Sequence, residues 1–164
     1  MTPYAKPRFI TDPEIIRKIL DRCKIIHLGM QEDGHVYVVP TNYGYTYEDG
    51  KLTFYSHGAM EGKKWDIIKK NPEICVEIDT GFELVDSEDP CDYGNSYGSI
   101  IGTGMATIVE DLEEKKKILN NITRLNAGTV HDFSDAMVRH VNVLKVEVSE
   151  FTCKSGVMYE KSAN

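Results

Sequence analysis

The residues with the clearest chemical potential are gathered in Phe54-Tyr55-Ser56-His57-Gly58-Ala59-Met60-Glu61-Gly62-Lys63-Lys64-Trp65. A strand ending in Ser-His, a loop of small residues and a helix opening on two lysines direct a hydroxyl, ammonium groups and backbone N–H groups at one place. The start of a helix favours an anion there, because its first N–H groups lack partners and the macrodipole is positive. A phosphate is the natural occupant, yet G-x-x-x-x-G-K-[ST] is absent, so this is no P-loop. Taken alone, a lysine pair on a helix is ordinarily solvated surface and a single histidine an ordinary loop residue. Trp65 is expected in a core or a subunit interface.

A second stretch, Val38-Val39-Pro40-Thr41-Asn42-Tyr43-Gly44, reads as a strand interrupted by proline. Proline cannot donate to a ladder, so it marks an edge, an end or a bulge, where backbone groups are free for a ligand. A flat heteroaromatic ring with donors and acceptors on its edge could use them.

The elements that position these stretches follow from periodicity and turn chemistry. Thr11-Asp12-Pro13-Glu14 opens a helix whose apolar stripe is Ile15, Ile16, Ile19, Leu20 and Cys23. Strands at 25–30 and 35–40 flank Asp33-Gly34, and strands at 42–47 and 51–56 flank Asp49-Gly50, which together predict a meander of four strands. A helix is predicted over 61–70, stopped by Asn71-Pro72, and a strand over 73–79. Residues 80–96, carrying Glu83, Asp86, Glu88, Asp89 and Asp92, read as a mobile acidic loop insertion. A long glycine-punctuated strand over 97–109, a helix over 111–126 with a solvated lysine run at 115–117, a short helix over 134–140 and a final strand over 141–151 complete the chain. This pattern predicts a mainly β protein, an antiparallel barrel with helical decoration, and disfavours a parallel doubly wound sheet.

Composition bounds the function. With 164 residues, one domain over 1–164 is expected. Nineteen Lys plus Arg against 26 Asp plus Glu give a net charge of −7, which argues against nucleic acid, since that binding rests on clustered cations. No apolar run reaches the ~20 residues of a membrane span. Cys23, Cys75, Cys91 and Cys153 are widely spaced and no secretory segment is evident, so free thiols and a cytoplasmic location are expected. His131 and His140 lack metal-site spacing, and no metal is assigned.

Four segments together resemble the flavin-binding split-barrel superfamily of the pyridoxamine 5′-phosphate oxidase type, and within it the nitroimidazole-resistance proteins. They are Val39 to Gly44, Asp49 to His57, Glu61-Gly62-Lys63-Lys64 through Pro72, and Tyr97-Gly98-Ser99-Ile100-Ile101-Gly102-Thr103-Gly104 running to Asp111. The resemblance implies a split β-barrel, FMN as cofactor and a homodimer with the site between subunits. It implies that Ser56, His57 or both, with Lys63 and Lys64, hold the FMN phosphate, while Val39, Pro40, Thr41, Asn42 and Ser99 lie near the isoalloxazine. Lysine in place of the oxidase's arginine keeps charge and loses bidentate geometry. It further implies an oxidoreductase acting on small electron-poor substrates such as nitroaromatics, with His57 as the catalytic residue. A non-catalytic flavin module (sensor, store or carrier) and a split barrel holding haem or a deazaflavin are the alternatives. The oxidase's C-terminal tryptophan and arginine have no counterpart in Cys153 to Tyr159, so pyridoxamine 5′-phosphate oxidation itself is not expected.

Overall fold

Two hairpins and one linking residue decide the architecture. In the computed structural model, which describes residues 9–90 and 93–156, β1 (Ile25–Glu32) pairs antiparallel with β2 (His35–Asn42), and β3 (Gly44–Glu48) with β4 (Lys51–Gly58). Both turns have positive φ at their central pair, Asp33-Gly34 and Asp49-Gly50, the conformation that joins twisted strands in two residues.

The hairpins do not form the predicted meander. The sheet order is β2-β1-β5-β6-β7-β4-β3, with β5 at Glu73–Val85, β6 at Gly94–Val109 and β7 at Asn142–Ser155. In a flat sheet β2 and β3 would stand six ladders apart, roughly 29 Å at the usual strand spacing. Only Tyr43 links them, and two residues along a chain span at most about 7 Å. The sheet must therefore curl until its two edges meet, and β2 does come up to β4 without joining its ladder. The result is an antiparallel barrel with a split.

Among the described residues four helices cover the barrel: α1 (Pro13–Arg22), α2 (Lys63–Lys70), α3 (Leu112–Ala127) and α4 (Asp135–Val138). The barrel interior and α1 and α2 form one apolar cluster around Leu20, Ile26, Phe54, Trp65, Ile78 and Ile100. A second cluster, with Val109, Ile118, Ile122, Val138 and Val143, lies under α3 and α4.

Two further expectations are corrected. Residues 80–96 are not one loop: β5 runs to Val85 and β6 starts at Gly94, paired through Leu84↔Asn95 and Val85↔Gly94, so the connection is only 86–93. Gly81, at φ 122°, permits the register shift that carries the pairing into this polar stretch. Asp92, Cys91 and the tail residues 157–159 lie outside the described residues. The lysine run is not uniformly solvated either. Lys115 shares the inward stripe of α3 with Ile118, Leu119 and Ile122, so its stem is buried. Its ammonium donates to the Val141 carbonyl at 2.9 Å and the Val138 carbonyl at 3.5 Å.

Candidate functional site

Helix α2 begins differently from the other three helices. Asp12, Asp111 and Ser134 accept side-chain hydrogen bonds at the starts of α1, α3 and α4, whereas Gly62, at φ 147°, caps α2 with no side chain. The first N–H groups of α2 are therefore left without a side-chain acceptor at the point where Lys63 and Lys64 enter. Trp65, Ile67 and Ile68 are buried and fix the helix against the barrel.

The two lysines face different strands. Lys63 Nζ sits 4.9 Å from the centroid of the Tyr37 ring on β2. Lys64 Nζ lies 4.4 Å from the Trp65 ring centroid and donates to the His57 carbonyl of β4 at 3.4 Å. A Cβ on Gly58 would come within 2.8 Å of that ammonium, so glycine keeps the space beside it open. Burial lowers the affinity of Lys64 for its proton, and an anion alongside would restore it.

Strand β4 ends in this corner. Leu52, Phe54 and Ser56 face inward, while Tyr55 and His57 face the other way, as the two-residue period requires. Ser56 Oγ and His57 Nδ1 are both buried without a hydrogen-bond partner in the chain. A buried polar atom left so costs about 1–3 kcal/mol, and native structures rarely retain one without a reason. Burial, followed by the nearby Lys64 charge, pushes the His57 pKa below the usual histidine value. The loop between β4 and α2 is held by Asn142, whose Nδ2 donates to the Met60 carbonyl at 2.8 Å.

The expected ring-lining strand is an edge. β2 pairs only with β1, so its other rim of backbone groups is unpaired, and Pro40 stands where a missing N–H is harmless. Val39 and Thr41 are half-buried on one side of β2, whereas Pro40 and Asn42 are exposed on the other. Two side-chain donors on this strand are occupied within the chain. Asn42 Nδ2 donates to the Lys24 carbonyl at 3.3 Å and to Asn126 Oδ1 at 3.4 Å, and Thr41 Oγ1 donates to the Asn42 carbonyl at 3.2 Å.

The structure thus brings Tyr37, His57, Gly58, Lys63 and Lys64 together and leaves Ser99 apart. Ser99 lies on β6 opposite Asp79 and Lys154, three ladders from β2, roughly 14 Å at normal strand spacing. Tyr37 and Gly58 are the members the sequence did not single out. Only the placement of α2 against both strands reveals them.

A seven-stranded antiparallel sheet rolled into a barrel and open between its edges defines the split-barrel class. The family model described as pyridoxamine 5′-phosphate oxidase matches residues 12–155, and the chain belongs to this family. A Bacteroides thetaiotaomicron protein named for 5-nitroimidazole antibiotic resistance is 32% identical, with 90% of this chain and 86% of that chain covered and a TM-score of 0.78. The Azotobacter vinelandii flavocytochrome Anf3 (20% identity, 92% and 70% coverage, TM-score 0.72) has the same fold. So does an FAD- and haem-binding protein of Mycobacterium smegmatis (13% identity, 96% and 81% coverage, TM-score 0.76). No sequence among curated proteins matches.

Proposed function

We propose that this protein is an FMN-dependent oxidoreductase of the cytoplasm, acting as a homodimer, that reduces small electron-poor substrates, nitroaromatics among them. The observation that carries the reading is the α2 corner: a helix start without a side-chain cap, two lysines, and the buried His57 Nδ1 without a partner, with Ser56 Oγ likewise unpartnered one residue before it. These donors suit a phosphate monoester. The flavocytochrome and the FAD-binding relative support a flavin as the phosphate's bearer, and the nitroimidazole-resistance relative supports the substrate class.

Flavin supplies the electron-carrying ring when bound. The chain's own residues bind and orient it. Lys63 and Lys64 neutralise the phosphate, and the α2 N–H groups and Ser56 hydroxyl add hydrogen bonds. The unpaired rim of β2, from Val39 to Asn42, offers backbone donors and acceptors to the ring edge. His57 is the candidate proton carrier, because a phosphate beside it offsets the burial and the Lys64 charge that now oppose its protonation.

Two features support the homodimer. Val36, Val38, Ile101 and Met105 are 49–76% exposed along β2 and β6, and such an apolar surface favours a partner. The edge position of β2 leaves the rim from Val39 to Asn42 without a second strand, which a partner subunit would cover. The described cysteines, Cys23, Cys75 and Cys153, are free thiols, in keeping with a reducing compartment.

Purified protein titrated with FMN should bind one flavin per chain. With a chemical reductant it should pass electrons to a 5-nitroimidazole faster than the same concentration of free FMN. Flavin binding with no acceleration would reduce the protein to a binding module. A haem spectrum with no affinity for FMN would overturn the cofactor assignment. No helix among the described residues is long and apolar enough to cross a membrane.

A further inference from the structure

The outward face of the sheet carries a group of ligating side chains that the α2 corner does not use. His27 on β1 and Glu77 on β5 are cross-strand partners, with Nδ1 and Oε2 2.8 Å apart. Asp79 lies two residues further along β5, on the same face. One donor atom from each residue falls within 4.8 Å of the other two. In the single chain the His27 and Glu77 side chains are 39% and 31% exposed and Asp79 is half-buried, so solvent reaches the group.

Electrostatics makes this arrangement a poor resting place for the side chains alone. Two carboxylates from one strand point at one spot, and a single imidazole offsets at most one of the two charges. Among the described residues no Lys or Arg forms an ion pair with Glu77 or Asp79. On the row of the sheet that holds His27 and Glu77, the flanking residues are Pro40 and Ile101, neither of which carries a polar side chain. Gly29, next on this face of β1, leaves the approach unobstructed.

We propose that His27, Glu77 and Asp79 bind one divalent transition-metal ion of the zinc or cobalt type. One imidazole nitrogen and two carboxylate oxygens form a donor set for a borderline ion. Calcium and magnesium, which take oxygen ligands, suit it less well. At the usual metal–ligand length of about 2.0–2.1 Å, donors in a tetrahedral site stand roughly 3.3 Å apart. Side-chain rotation suffices to reach this separation, because the β1·β5 ladder fixes the Cα positions of His27 and Glu77 and the β5·β6 ladder that of Asp79. The ion takes the place of the proton between His27 Nδ1 and Glu77 Oε2 and neutralises the second carboxylate. Three protein ligands leave at least one coordination position open. The site departs from the sequence expectation of no metal, and it does not rest on the flavin reading, since no residue of the α2 corner contributes to it.

The test uses full-length protein, free of affinity tag and stripped of metal, in the oligomeric state in which it purifies. Titration with Zn²⁺ in a calorimeter and with Co²⁺ by its d–d absorption should show one saturable site per chain. His27→Gln and Glu77→Gln should each weaken binding at least tenfold, and Asp79→Asn should do so less. Cys75→Ser, which removes the exposed thiol on the same strand, should leave binding unchanged, as should the pair Lys63→Ala and Lys64→Ala. Circular dichroism confirms that these surface variants fold. The proposal is overturned if the unaltered protein takes up neither ion. It is equally overturned if binding survives removal of all three ligands, or if binding disappears with Cys75.

Discussion

Two corners of the barrel carry polar side chains, and they differ in how the donors are matched. Where α1 and α3 meet the end of β2, the side-chain donors are matched, although Asn121 Oδ1 is buried without a partner. Asn126 Nδ2 bridges the Tyr43 and Ile122 carbonyls at 2.8 Å each, Lys24 Nζ donates to the Asp21 and Leu125 carbonyls at 2.9 Å each, and Tyr43 donates its hydroxyl to the Leu20 carbonyl at 2.6 Å. At the α2 corner Ser56 Oγ and His57 Nδ1 have no partner, and the helix start has no side-chain cap. Matched polar groups lock geometry, because losing any one of them strands its partner. Unmatched groups hold binding capacity in reserve for something that is not part of the chain. The seam is where β2 crosses to β3, which the barrel needs in order to close. The corner is where a ligand is expected.

The contrast breaks most sharply at Gly44. A Cβ there would collide with Asn121 Oδ1 and stand 2.9 Å from the Ile122 N, so Gly44→Ala should cost about 3 kcal/mol in a urea unfolding experiment. The FMN affinity of the fraction that remains folded should not change. Replacing both Lys63 and Lys64 by Ala should do the reverse. FMN affinity measured by calorimetry should fall by about 1.5–3 kcal/mol and lose part of its salt dependence, with the unfolding midpoint held or raised. Equal losses in stability and affinity would merge the two corners into one structural role.

Ser56→Ala sharpens the comparison at a single atom. Removing an unpartnered buried hydroxyl should stabilise the flavin-free protein by about 1 kcal/mol and weaken FMN binding by a similar amount. A loss of stability without flavin would mean that the hydroxyl is partnered after all. The smallest effect is expected from pH. His57 has a folded-state pKa below its unfolded value of about 6.5, so the unfolded chain takes the proton first as pH falls. Its contribution is complete above that value and declines as pH drops through the window beneath it. His57→Gln should flatten this part of the stability profile, and an unchanged profile would return His57 to an ordinary loop role.

Much of the corner was legible because it is local. Gly62-Lys63-Lys64 announced a helix start, Asp33-Gly34 and Asp49-Gly50 announced the hairpins, and Pro40 announced a strand without a partner on one side. The errors all come from long-range partners. Lys115 looked solvated because it sits in a lysine run, yet its place on the α3 stripe and the carbonyls of 138 and 141 decide its burial. Residues 80–85 and 94–96 looked like loop because of the acids, glycines and proline gathered across 80–96, while pairing between β5 and β6 makes them strand.

By itself the sequence determined most element types, the acidic whole with its local cationic helix start, and the resemblance that pointed to a split barrel. These follow from neighbours within a few residues, where side-chain period, capping and turn conformation act. Only the tertiary structure decided that the two hairpins lie at opposite edges of one sheet, that α2 joins Tyr37 to His57, and that His27 meets Glu77 and Asp79. The reason is physical. Strand register and closure are set by which apolar faces can be buried together, and residues some 50 positions apart become neighbours only when that burial is complete.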